Sequence, residues 1–170
     1  KILIYGDYDV DGVTSTALLT TFLRQKTNNI FPYIPDRETE GYGVSVNGIN
    51  KAIKKGISLI ISIDCGIKAL EEVEYAKSNN IDFIICDHHL PESEIPNAIA
   101  VLNPKRDDCK YPFKELCGCG IGFKLIQALC LEWGMNTQQL INYLDLVSLG
   151  TVCDVVPLIG LNRAIVSQGL

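Results

Sequence analysis

The chain reads as an α/β protein: a mainly parallel sheet with helices on both faces, followed by a C-terminal part that is helical. Three observations carry this. Strand-like and helix-like runs alternate as far as Leu102. The strand runs are apolar at nearly every position rather than at every second one, as in parallel sheets covered on both sides. From Ile121 onward the apolar residues fall at helical spacing instead.

The elements follow in order. Lys1–Tyr5 is β-prone, and Gly12 opens a helical run over Val13–Lys26. Ile30–Ile34 is a second strand, stopped by Pro35, and the charged, glycine-containing segment Asp36–Gly43 reads as a loop. Val46–Lys55 reads as a helix closed by Gly56 at its C-cap. Ser58–Ile63 and Ile81–Cys86 are apolar strands on either side of a helix over Lys68–Ser78, which aligns Leu70, Val73 and Ala76 or Lys77. Ile99–Leu102 is a further short strand, and the polar stretch Asn103–Leu116, with two prolines, is a long loop. Ile121–Trp133 places Leu125, Ile126, Leu129 and Trp133 on one face, and Thr137–Leu149 does the same with Leu140, Ile141, Leu144 and Val147. Gly134 and Gly150 punctuate these two helices.

With 170 residues, 47% hydrophobic and 21% charged, the chain is long enough for one domain with its own core. No apolar run is long enough to span a bilayer. A net charge of −5 argues against a free-standing, non-specific nucleic-acid binder, but not against an enzyme whose metals carry positive charge to a phosphate. Seven cysteines in a chain of this size read as reduced thiols of a cytoplasmic protein rather than as disulfides. The chain begins at Lys1, within a strand, and stops within a helix, which reads as a piece of a longer protein.

The candidate chemistry gathers at strand ends. Asp7, Asp9 and Asp11 follow the first strand, Asp64 follows Ser58–Ile63, and Asp87, His88 and His89 follow Ile81–Cys86. Open α/β sheets place their ligand site at the carboxyl ends of the strands. Asp154 is a lone charge in an apolar run and is either a turn or cap residue or a buried carboxylate that needs a cation. Three aspartates as close as Asp7, Asp9 and Asp11 repel one another unless something cationic holds them, and the alternative is an acidic turn that caps the following helix. Carboxylates with one or two imidazoles suit Mn²⁺ or Mg²⁺ rather than structural zinc. Cys117-Gly118-Cys119, with Cys109, lacks zinc-knuckle spacing and reads as a tight glycine-rich loop; Cys65, Cys86 and Cys153 read as small core fillers. Arg37, in the loop Pro35–Gly43, either grips a phosphate or pairs with Glu38 or Glu40. Lys105, Arg106, Lys110 and Lys114 form a basic cluster, read as solvated surface with a nucleic-acid track as the minority alternative. No Gly-x-Gly-x-x-Gly follows the first strand, which excludes a plain dinucleotide-binding site.

Taken in order, Asp7-Tyr8-Asp9-Val10-Asp11-Gly12, Asp64, Asp87-His88-His89 and Asp154 resemble the four motifs of the DHH phosphoesterases. Pro35-Asp36-Arg37, Glu40-Gly41-Tyr42-Gly43, Gly118–Leu125 and Leu149–Leu158 extend the resemblance towards its bacterial branch of single-strand-specific 5′→3′ exonucleases. The resemblance implies a Rossmann-like catalytic domain over residues 1–158. Residues 159–170 would start a linker helix to a second domain. It implies two ions, Mn²⁺ or Mg²⁺, held by Asp9, Asp11, Asp64, His88 and Asp154, with Asp64 bridging and Asp7 supporting the first ion or its water. Asp64, Asp87, His88 and His89 would form the catalytic set, and His89 and Arg37 would contact the scissile phosphate. The implied substrate is single-stranded DNA, cut to 5′-mononucleotides in repair and recombination. The implied partners are single-strand-binding protein and a RecQ-type helicase. Other branches carry His where this chain has Tyr5, which argues against their activities on short oligonucleotides or cyclic dinucleotides. A small-substrate phosphodiesterase of the same superfamily and a non-catalytic binding module are the alternative readings.

Overall fold

A computed structural model describes residues 1–170. Its centre is one sheet of five strands: β1 (Ile2–Tyr5), β2 (Ile30–Tyr33), β3 (Leu59–Ile63), β4 (Asp82–Cys86) and β5 (Ala100–Leu102). All pairings are parallel and the order is β2-β1-β3-β4-β5. The chain steps from β1 to β2 in one direction and builds β3, β4 and β5 in the other, so the loops after β1 and β3 diverge. That is the crevice in which open α/β sheets bind ligands.

Both sheet faces are apolar because both are covered. Ile4, Ile61, Ile63 and Cys86 point into the larger core with helices α1 (Val10–Leu23), α4 (Gly118–Glu132), α5 (Leu144–Cys153) and α6 (Gly160–Gly169). Leu3, Tyr5, Ile60, Phe83 and Ile85 point into a second core with α2 (Val46–Lys55) and α3 (Leu70–Ser78). Crossovers that lead in opposite directions from β1 and β3 must lie on opposite faces to remain right-handed, which places α1 apart from α2 and α3. No helix is long and apolar enough to cross a membrane. All seven cysteines are free.

Several expected boundaries move. Helix α1 starts at Val10 rather than Val13, because the Asp9 carboxylate caps it by accepting from the Gly12 N–H at 2.9 Å. Asp11 therefore lies in the first helical turn. The segment expected to be one helix over Thr137–Leu149 is a 3₁₀ turn, Thr137–Tyr143, followed by α5. The tighter turn directs Ile141 to solvent, 63% exposed, and not onto the core face. Gly150 lies inside α5 and does not end it. Cys117–Cys119 is no loop: Cys117 caps α4, which begins at Gly118, three residues before its expected start.

Two backbone positions beside the expected site residues are left-handed. Asp64 has φ 63° and Val155, directly after Asp154, has φ 58°. Non-glycine residues take this conformation at a cost, and β-branched ones rarely do so at all.

Candidate metal centre

The carboxyl edge of the sheet collects side chains from five places in the chain. Asp7 leaves β1, Asp11 stands in the first turn of α1, Asp64 leaves β3, His88 and His89 leave β4, and Asp154 ends α5 as its C-cap. Asp7, Asp11, Asp64 and His88 are buried. The ligand atoms of Asp7, Asp9 and Asp64 lie within 4.8 Å of one another, as do those of Asp11, His88 and Asp154 and those of Asp64, His88 and His89. His88 Nε2 is 3.1 Å from Asp64 Oδ1, 3.6 Å from Asp154 Oδ2 and 4.0 Å from Asp11 Oδ2. Asp64 thus borders both the Asp7–Asp9 side and the His88 side.

These groups face one another without satisfying one another. Of the eight buried side-chain nitrogen and oxygen atoms that lack a hydrogen-bond partner, five are here: Asp7 Oδ1, Asp64 Oδ1, both His88 ring nitrogens and Asp154 Oδ2. Native folds pair such atoms, and orphaned ones concentrated in one spot call for a ligand. Burial, joined by the carboxylates of Asp11, Asp9, Asp87 and Asp154, pushes Asp64 up to about 11. Burial, with Asp11 and Asp9, pushes Asp154 up to about 6, and burial raises Asp7 and Asp11 as well. The same burial holds His88 down at about 4, so its imidazole is neutral and keeps a lone pair for a ligand. A crowd of destabilised carboxylates around a neutral imidazole fits hard divalent cations.

Main-chain groups hold the cluster in place. The first N–H groups of α4 point at Asp11: Gly118 N–H donates to Oδ2 at 2.5 Å and Cys119 N–H to Oδ1 at 2.9 Å. A Cβ on Gly118 would lie 2.5 Å from the Asp64 Cβ, and one on Gly150 would lie 2.6 Å from Asp11 Oδ1. Only glycine permits α4 and α5 to approach this closely.

Asp87 and His89 sit beside this cluster and play different parts. Asp87 Oδ1 accepts from the N–H groups of His88 (2.7 Å) and His89 (3.1 Å) and lies 2.7 Å from His89 Nδ1, while Oδ2 accepts from Ile67 N–H at 2.9 Å. Burial works against the Asp87 carboxylate, yet the His89 ring and these N–H groups hold it below the usual range, and its hydrogen bond raises His89 in return. Asp87 is thus consumed in orienting His89. The Tyr42 hydroxyl lies 3.1 Å from His89 Nε2. Tyr42, edge-on to Tyr8, and the Arg37 guanidinium, 5.3 Å from the Tyr8 ring centre, complete the rim.

Arg37 does not pair with Glu38 or Glu40. The Glu40 carboxylate is taken by Tyr33, Ser45 and Lys51, and Arg37 is exposed on the rim. Tyr5 does not join the aspartates: its ring is buried in the second core and its hydroxyl accepts from Ser45 N–H and donates to Gly43. Sequence reasoning missed the helix end that grips Asp11, whose signal was the small-residue run Gly118-Cys119-Gly120 just after a Cys able to cap. It gave Tyr42 a place in the motif Glu40-Gly41-Tyr42-Gly43 but no role beside His89.

Residues 1–151 match the DHH family, N-terminal domain. The chain is 46% identical over 170 residues to the single-stranded-DNA-specific exonuclease RecJ of Bacillus subtilis (strain 168), covering all of this chain and 21% of that protein. It is 42% identical over 180 residues to the protein of the same name from Dickeya dadantii (strain 3937), covering all of this chain and 31% of that one. A solved structure described as exonuclease RecJ bound to manganese matches with a TM-score of 0.89 at 36% identity, over 99% of this chain and 42% of that one. The chain therefore spans between a fifth and a third of the length of these curated relatives.

Proposed function

The chain belongs to the DHH family, and from that premise we propose that it carries out metal-dependent hydrolysis of single-stranded DNA from the 5′ end, releasing 5′-mononucleotides. The observation that carries this reading is the convergence of unpartnered carboxylate and imidazole atoms at the carboxyl edge of the sheet. Asp7, Asp9 and Asp64 would hold one ion and Asp11, His88 and Asp154 another, with Asp64 shared; Mn²⁺ or Mg²⁺ suits the donors. Such ions, when bound, bring positive charge to the phosphate and make the attacking water more acidic.

The chain's own residues do the rest. Asp87 fixes the His89 ring with its Nε2 beside the Tyr42 hydroxyl on the rim, from where the ring would donate to a phosphate oxygen that takes the place of that hydroxyl. Arg37, free of any carboxylate, is placed to grip a phosphate with its planar fork. Residues 1–158 are the catalytic unit on this reading, and residues 159–170 start a helix that leads towards a second domain. The reading also places the protein in the cytoplasm and gives it single-strand-binding protein and a RecQ-type helicase as partners.

Calorimetry with Mn²⁺, run on the parent and on Asp64→Ala, tests the site. Two binding events in the parent and their loss in a folded Asp64→Ala variant are expected, together with loss of hydrolysis. Full activity in Asp64→Ala overturns the assignment. Digestion of 3′-labelled single strands of increasing length separates an exonuclease from a short-oligonucleotide phosphodiesterase, since the latter stops acting as length grows.

A further inference from the structure

The basic cluster of the long loop does not act as one body. Arg106 is bidentate to Asp108, at 2.9 and 2.6 Å, and also donates to the Val101 carbonyl at 2.7 Å. Lys114 donates to the Cys109 carbonyl at 2.7 Å. Of the cluster's four residues, Lys105 is the one that borders the metal centre. It lines a cavity of about 610 Å³ together with Tyr42, Asp87, His89 and Lys68. Lys68 has a partner in Glu92, at 3.4 Å. Lys105 as a residue is of intermediate exposure, and its ammonium has neither an ion-pair partner nor a hydrogen-bond acceptor. Its charge is felt across the site, where it opposes protonation of His88 and His89 and favours the Asp154 carboxylate.

One buried side chain sets this placement. Asn103 is 3% exposed; its Nδ2 donates to the His89 carbonyl at 2.9 Å and its Oδ1 accepts from the Lys105 N–H at 2.8 Å. The backbones of His89 and Lys105 thus hang from the same carboxamide. An ammonium without a partner, on the wall of the cavity that His89 also lines, is open to an anion. The charge balance points the same way. Asp7, Asp9, Asp11, Asp64 and Asp154 outweigh two divalent ions, so attraction for a polyanion must come from cations around them.

We propose that Lys105 binds a phosphate of the substrate in the cavity beside His89, and that Asn103 is the positioning residue that sets the two side by side. This rests on the phosphodiester reading above. The test uses the full-length, Mn²⁺-loaded protein and an oligonucleotide with a 3′ fluorophore and phosphorothioate linkages at its 5′ end. Anisotropy is followed against salt, alongside kcat/KM on the unmodified strand. In Lys105→Gln, affinity and kcat/KM are expected to fall about tenfold, as for loss of one charge-assisted contact. The slope of log affinity against log salt is expected to become shallower by about 0.7, the value for one phosphate contact on a single strand. Mn²⁺ binding and Tm stay unchanged, and Lys105→Arg restores the slope. An unchanged slope and affinity in Lys105→Gln overturns the proposal, as does a fall in Tm or Mn²⁺ binding that accounts for the loss. A parent that binds the strand without cleaving it defeats the cleavage reading while the slope still judges Lys105; a parent that does not bind overturns both.

Discussion

One peptide bond separates His88, whose ring faces three carboxylates, from His89, whose ring is held by Asp87 and meets Tyr42. The rings lie 4.4 Å apart and tilted by 53°, so neither can take the other's place. Different losses follow. His89→Ala is expected to retain Mn²⁺ binding and lower kcat by about 100-fold, the scale for one donor to a developing charge. His88→Ala is expected to lose Mn²⁺ affinity first; calorimetry beside single-turnover kinetics separates the two. That the two rings part, one towards the carboxylates and one towards Asp87 and Tyr42, follows from local geometry, because adjacent side chains at a strand end diverge. That Asp87 is spent on orienting His89 could not be read in the sequence, because it depends on the Ile67 N–H from a different loop.

At the level of elements, the site depends on helix ends as much as on strand ends. The strands were legible because continuous apolar runs have few other uses, and the carboxylates after them marked the active edge. The helix starts were less so. Asp9 and Cys117 act as caps, each shifting a helix three residues towards the N-terminus, and one of these shifts delivers two N–H groups to Asp11. Gly150 looked like a stop signal because glycine is a poor helix former; its actual constraint is Asp11 and Cys119 across the helix interface, a long-range fact that local propensity does not encode. Gly150→Ala is therefore expected to destabilise by about 1–3 kcal/mol, as overpacking does, despite alanine's better helix propensity. It should also weaken Mn²⁺ binding, and urea melts with and without Mn²⁺ check both effects. An alanine variant as stable as the parent would show that α5 stands off further than described.

Across the whole molecule, the centre ties stability to pH and to divalent ions. In the metal-free fold Asp64, raised to about 11, and Asp154, raised to about 6, keep protons that the unfolded chain gives up near 3.8. The unfolded state gains on the folded one as pH rises past that lower value, so metal-free stability declines with pH. An ion must displace the same protons, so its affinity grows with pH. The gain in Tm on adding Mn²⁺ is expected to be larger at about pH 8 than at about pH 5, and about 2.7 kcal/mol of stability accompanies an ion held at a hundred times its Kd. Differential scanning calorimetry across that range checks it; a gain independent of pH would mean that the carboxylates are already ionised without metal. The all-parallel sheet has a further consequence. Its site draws on Asp7, which follows β1, and on Asp154, which ends α5 nearly 150 residues later, with α5 supplying the last contribution. A ribosome extends a chain from its N-terminus, and domains fold as their residues emerge. The nascent chain can thus build β1 to β4 and still lack Asp154, so the cluster of carboxylates and imidazoles is complete only once α5 has emerged and packed.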